Sequence, residues 1–224
     1  KLNKPLVVVL INGRPVSINW AQDNVDAIIE AWYPGSHGGT AVAEVLLGDY
    51  NPGGKLTVTF PRSVGQLPFN FPCKPNSQVD GYTKTGPDGR QSRVHGALYE
   101  FGYGLSYTTF EYGNFEMPEA LDKDNALKLS VTVTNTGKVA GDEVVQVYMH
   151  DEIASVGRPL KELVAFKRVT LNPGESKKVE IEVPYRSFHM WDKDMKFRVE
   201  EGWFSVWLGK NAEQVIESRR VYVK

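Results

Sequence analysis

Apolar and polar positions change rhythm twice along the chain. Residues 5–11, Pro-Leu-Val-Val-Val-Leu-Ile, run without a polar side chain and stop at Asn12-Gly13. Such a run predicts a strand buried on both faces, as in a parallel sheet. A second run, Asp26 to Tyr33, stops at Pro34-Gly35, and residues 12–25 between the two allow a short crossover with a helical turn near Asn19 to Gln22. From Thr40 to Leu47 the spacing changes to helical. Ala41, Val42, Val45 and Leu46 share a face, Thr40 and Glu44 point away, and Gly48 offers a left-handed stop. Asn51-Pro52-Gly53-Gly54 then turns the chain into a further predicted strand, Lys55 to Phe60. Three strands and one good helix cannot cover both faces of so apolar a sheet, so another segment is expected to complete it.

The last region alternates instead. Leu127, Leu129, Val131 and Val133 precede the turn Asn135-Thr136-Gly137, and Val144 to Met149 makes the next strand. Leu160 to Leu171 ends at Asn172-Pro173-Gly174; Val179, Ile181 and Val183 alternate again; Phe197 and Val199 precede Glu201-Gly202; Val221 and Val223 close the chain. About seven short strands separated by turns predict an immunoglobulin-like or fibronectin type III-like sandwich. Phe204, Val206 and Leu208 face its core, which puts Trp203, Ser205 and Trp207 on the opposite face. Large aromatics are seldom left bare side by side. These two are expected to pack on the α/β region or on a connector holding Tyr99, Phe101, Tyr103 and Tyr107; cover by neighbours and a sugar-stacking platform are the alternatives.

Charge sharpens the division. Residues 1–75 carry 11 charged side chains (6 basic, 5 acidic) and residues 111–224 carry 36 (17 basic, 19 acidic). The expected domains are 1–75 (α/β), 76–110 (connector, with six glycines) and 111–224 (all-β). A formal net charge of -1 over 224 residues argues against a nucleic-acid-binding surface spread over the molecule. No apolar run is long enough for a membrane span. Cys73 has no partner for a disulfide within the chain. Lys1 is not a start methionine, and any export signal is expected upstream.

Chemistry is sparse. Pro34-Gly35-Ser36-His37-Gly38-Gly39-Thr40 leads from a strand into a helix but ends in no Gly-Lys-Ser/Thr and lacks the dinucleotide spacing. It reads as a tight turn or as a loop at a ligand site, because ligands gather at the carboxyl ends of parallel strands. His37 is the only one of the four histidines on that edge; His95, His150 and His189 are scattered without ligand spacing. Asp192-Lys193-Asp194 resembles part of a calcium loop without its later glycine and glutamate, and is expected to be a polar hairpin turn. Among Asp23, Asp26, Glu30, Glu44 and Asp49 none is expected at a strand's carboxyl end, so no catalytic acid/base pair is assigned.

Several strings together resemble the C-terminal part of a family 3 glycoside hydrolase, the β-glucosidase and β-xylosidase group. They are Lys4 to Leu10 with Asn12 to Val16, Ala31-Trp32-Tyr33-Pro34-Gly35 with Gly38-Gly39, and Leu46 to Leu56. Leu98 to Thr108, Gly141 to Tyr148 and Arg158 to Leu163 follow in the family's order, so the resemblance spans nearly the whole chain. It implies the C-terminal portion of an α/β sandwich domain followed by a fibronectin type III-like domain, behind an upstream catalytic barrel. It implies a retaining, exo-acting enzyme that cleaves β-linked sugars from non-reducing ends, needs no metal or organic cofactor, and works in the periplasm or outside the cell. The family's nucleophilic aspartate and acid/base glutamate would both precede Lys1, so no catalytic residue is carried over. Ser36-His37 stands where the family often has an acidic or small residue, so no role in sugar specificity is carried over to the loop from the family; the strand-end geometry makes His37 the one expected substrate-binding residue. The reading from another class is a non-catalytic carbohydrate- or protein-binding sandwich.

Overall fold

The computed structural model describes residues 3–66, 69, 71–74, 94 and 96–224. The expected connector, 76–110, lies outside the described residues as far as 93 and again at 95. Two compact units emerge. One comprises residues 1–51, 58–70 and 76–100, and the other residues 52–57, 71–75 and 101–224.

In the first unit β1 (Val7–Leu10) pairs in parallel with β2 (Ala27–Glu30), Val7 against Ala27 and Leu10 against Glu30. The crossover carries the short helix α1 (Asn19–Asn24), and α2 (Gly38–Leu47) follows β2. Gly48 caps α2 with φ 83°, its N–H reaching Glu44 O and Val45 O, so the left-handed stop is where a residue without Cβ is needed. β3 (Phe60–Pro61) pairs antiparallel with β4 (Ala97–Tyr99). Gln66 braces this pair's surroundings: its Oε1 accepts from Arg62 N–H and Ser63 N–H, and its Nε2 donates to Gly96 O. The apolar faces of β1, β2 and α2 are poorly covered. Leu6, Ile11, Leu46 and Leu47 are exposed, and Gly38 is the only buried residue of α2.

The strand expected over Lys55 to Phe60 is corrected: only Phe60 is in a strand. Residues 52–57 belong to the second unit, where Leu56 N–H donates to Tyr103 O (2.8 Å) and Gly102 N–H donates to Leu56 O (2.7 Å). Two backbone bonds tie the segment down without building a ladder. The approach is close, because a Cβ on Gly104 would sit 2.2 Å from Gly54 O.

The second unit is a β-sandwich. One sheet orders β10 (Ser176–Val183), β7 (Leu127–Asn135) and β5 (Phe110–Glu116). The other orders β6 (Ala120–Leu121), β14 (Val215–Val223), β13 (Gly202–Gly209), β8 (Gly141–Asp151) and β9 (Glu162–Leu171). The alternating residues of β7 meet Val145, Val147 and Met149 of β8 and Phe204, Val206 and Leu208 of β13 in one core. A small hairpin, β11 (Met190–Trp191) with β12 (Phe197–Arg198), closes over Asp192. Asp192 Oδ1 accepts from Asp194 N–H and Lys196 N–H while Oδ2 pairs with Arg198 Nε at 2.6 Å, the polar turn that was expected. Backbone N–H donors, led by that of Lys196, hold its carboxyl below the usual carboxylate range.

β5 was not foreseen as a strand. Asn114 sits at φ 50° and the register shifts between Gly113 and Glu116, so the two-residue rhythm is interrupted and only Phe115 is buried.

The two tryptophans part company. Trp207 is 8% exposed, lies nearly parallel to Tyr148 (centroids 6.1 Å, 16°), and sits in a cluster packed by Phe71, Phe101 and Leu163. Phe101 comes from the expected connector, so this indole docks as anticipated. Trp203 keeps 42% exposure, with Tyr222 edge-on at 5.2 Å and the Arg220 guanidinium 4.6 Å above its ring. Its cover is local.

The second unit also buries an acid. Glu143, 4% exposed, accepts from Tyr112 OH at 2.7 Å and from Lys55 Nζ at 3.3 Å, and the same ammonium reaches Gly104 O at 3.0 Å. Burial, reinforced by the Glu143 carboxylate, pushes the Tyr112 phenol far above its ordinary value, so it stays a neutral donor.

Two outcomes follow for unfolding measurements. Lys55→Met leaves the buried carboxylate without its counter-ion and should cost about 3 kcal/mol, part of it recovered in the Lys55→Met/Glu143→Gln double variant. Trp207→Ala should destabilise by about 3–5 kcal/mol through cavity formation, whereas Trp203→Ala should cost under ~1.5 kcal/mol. Equal losses for the two tryptophans in urea titrations would contradict the assignment.

Candidate functional site

The site is built at the carboxyl edge of the parallel pair in the first unit. Parallel pairing sends the chain out of β1 and β2 on the same side, so Asn12-Gly13 and the segment Ala31 to His37 are neighbours there. Ala31 N–H extends the ladder to Leu10 O at 3.0 Å. One residue later the path reverses, with Trp32 at φ 50°, a left-handed conformation that a bulky side chain adopts only under constraint.

Two contacts supply that constraint. Trp32 N–H donates to Glu30 Oε1 at 2.9 Å, and the indole packs 5.9 Å from the fully buried ring of Phe60. With Trp32 anchored inward, the next side chain must leave on the other side. Tyr33 is 76% exposed, and its Cε2–Cζ–Oη edge lies over Gly13, where a Cβ would fall 2.8 Å from Cε2. Gly13 therefore provides the seat for the ring.

Glu30 is the last residue of β2, so the expectation that no acid stands at a strand's carboxyl end is corrected. The run Asp26 to Tyr33 conceals where the strand stops, because apolar residues stand on both sides of Glu30. Burial pushes the Glu30 carboxyl above its ordinary value, against the opposing hydrogen bonds from Trp32 N–H and the Asn12 side chain. Its Oε1 thus serves the turn. Asn12 Nδ2 in turn donates to Arg14 O at 2.6 Å and shapes the exit of β1. Asp26, at the other end of β2, accepts from Leu6 N–H at 2.8 Å and ties the two strands together where they begin.

His37 occupies the N-cap position of α2, with φ −95° and ψ 11°, and its carbonyl accepts from Ala41 N–H at 3.0 Å. Its imidazole makes no capping hydrogen bond and is exposed. Pro34 fills the space above Gly38, where a Cβ would lie 2.5 Å from the proline ring, and Gly35 turns the loop at φ 73°. Sequence reasoning singled out His37 but missed Tyr33. The one signal for the latter is Gly13, whose lack of a side chain matters only once β1 and β2 are known to be adjacent. Among the described residues no three of His, Cys, Asp and Glu gather as a metal-ligand set.

Residues 1–107 match the family model for the glycosyl hydrolase family 3 C-terminal domain, and residues 143–212 match the fibronectin type III-like domain. The chain is 45% identical over 214 residues to a β-xylosidase of Formosa agariphila, covering 95% of this chain and 29% of that protein. It is 42% identical over 223 residues to a periplasmic β-glucosidase of Salmonella typhimurium, covering 95% and 28%. A β-glucosidase of Listeria innocua, solved as a mutant in complex with laminaribiose, superposes with TM-score 0.89 at 35% identity, over 100% of this chain and 31% of that one. The chain thus spans less than a third of the length of each. An open-faced α/β unit, a β-sandwich and two family matches in the same order together establish that the chain belongs to glycosyl hydrolase family 3, as the C-terminal part of such an enzyme.

Proposed function

We propose that this chain is the C-terminal portion of a retaining, exo-acting β-glycosidase of the β-glucosidase type, which hydrolyses β-linked sugars from non-reducing ends. The carrying observation is the uncovered first unit: β1, β2 and α2 expose Leu6, Ile11, Leu46 and Leu47, surface that the remainder of an α/β domain would cover. Relatives more than three times as long support an upstream catalytic barrel that carries both carboxylates. In this reading the chain supports the active site and forms part of its rim. Its partners are the upstream barrel, the rest of the α/β domain and a β-glucoside or related oligosaccharide. The reaction itself calls for no metal or organic cofactor. The Salmonella relative, named as periplasmic, supports a periplasmic or secreted enzyme. His37 is the proposed rim residue, near the outer sugar subsite.

The purified 224-residue chain alone should not turn over an aryl β-glucoside, because retaining hydrolysis needs two carboxyl groups about 5–5.5 Å apart across the bond. The complete polypeptide should do so and release the β-anomer first, as followed by NMR. Activity of the isolated chain that is lost on mutating one of its own acids would defeat the assignment. In the complete enzyme His37→Ala should change preference among disaccharides more than it changes the melting temperature. Unchanged kinetics across a disaccharide panel would remove His37 from the rim.

A further inference from the structure

Tyr33 differs from the other exposed apolar residues of the first unit. Leu46 and Leu47 project from a helix and Ile11 from a strand end, aliphatic surface that protein packing would cover, and the exposed aromatics Trp20, in α1, and Tyr50, after α2, are not part of the turn that follows β2. Tyr33 instead ends a chain of constraints that serves to present it. Glu30 holds the Trp32 N–H, Phe60 receives the indole, Trp32 takes a left-handed backbone, and Gly13 leaves room for the phenol edge. A strained turn held at a sheet's carboxyl edge is where ligand-contacting residues collect.

The chemistry of the product narrows the ligand. A tyrosine ring held at one edge over Gly13, and otherwise open, offers an apolar face to the C–H surface of a pyranose. Its hydroxyl remains available to hydrogen-bond at the ring margin. His37, four residues further on and without a capping bond, adds a second polar group after the same strand.

We infer that Tyr33 is a stacking platform for the leaving-group sugar of a β-linked disaccharide and so determines specificity for the aglycone side. The inference rests on the glycosidase reading above and adds to it the residue that recognises the second sugar ring. Tyr33 takes no part in bond cleavage. Its contribution lies in binding a substrate that has a pyranose beyond the scissile bond.

The test uses the complete enzyme with laminaribiose, which places a sugar on the platform, and β-glucosyl fluoride, which places none. The readout is the ratio of kcat/KM for the two substrates. Tyr33→Ala should lower the laminaribiose-to-fluoride ratio about three- to tenfold, the range expected for loss of one aromatic contact. Tyr33→Phe keeps the ring face and should hold the ratio within about twofold of wild type. Gly13→Ala, which displaces the ring without deleting it, should move the ratio in the same direction as Tyr33→Ala. An active wild type whose ratio is indifferent to Tyr33→Ala overturns this inference alone. So does a variant that loses both activities equally together with several degrees of melting temperature, since the ring would then be packing material. A wild type inert on both substrates overturns the glycosidase reading and this inference with it.

Discussion

Parallel register between two four-residue strands fixes which loops meet at the carboxyl edge of the first unit. Because Val7 lies opposite Ala27 and Leu10 opposite Glu30, the outgoing loops of both strands must emerge together. An antiparallel pairing of the same residues would place Asn12-Gly13 and Tyr33 at opposite ends of the sheet. Glu30 then acts at the last rung. By accepting the Trp32 N–H it makes the left-handed turn affordable to a tryptophan, and the alternation of inward Trp32 and outward Tyr33 follows from that turn. The cost of burying this carboxyl is visible in its raised pKa.

The two units illustrate different ways of reaching stability. The sandwich is self-sufficient: β7, β8 and β13 bury alternate residues against one another, and most of the remaining polar groups in its interior are paired, as Asn135 shows. That side chain, fully buried, accepts from Thr108 Oγ1 at 2.6 Å and donates to Leu171 O at 3.0 Å. The adjoining turn needs Gly137 because a Cβ there would meet Thr108 Oγ1 at 2.1 Å. Among its described residues the first unit has no comparable core: the buried apolar ones are Phe60, Pro61, Ala97 and Leu98, while the parallel pair and α2 leave much of their apolar surface in solvent. One finished unit and one unfinished unit accord with the matches to the family 3 C-terminal domain and the fibronectin type III-like domain.

Residues 52–57 join the sandwich, not the unit that precedes them in sequence, and Lys55 is the reason in charge terms. Its ammonium neutralises Glu143, a carboxylate from a strand 88 residues away. This pairing ties a segment read as a strand to the second unit. A lysine in a β-rich hexapeptide carries no mark of such a partner.

Local pattern was sufficient for the sandwich, because a two-residue alternation states which face is buried before any neighbour is known; Leu127 to Val133 and Phe204 to Leu208 show this directly. It was sufficient as well for the parallel character of β1 and β2, for the helix ending at Gly48, and for the polar turn at Asp192. It failed where the deciding contact is distant. β5 was hidden by the bulge at Asn114, residues 55–59 by the charge of Glu143, the end of β2 by an apolar run that continues past its last rung, and the platform of Tyr33 by dependence on Gly13. Sequence alone therefore determined the fold class, the incompleteness of the first unit and the kind of enzyme that it resembles, since these reside in periodicity and in strings of adjacent residues. Only the tertiary structure decided which side chains the carboxyl edge presents, because that depends on which residues far apart in the chain are brought within a few ångströms.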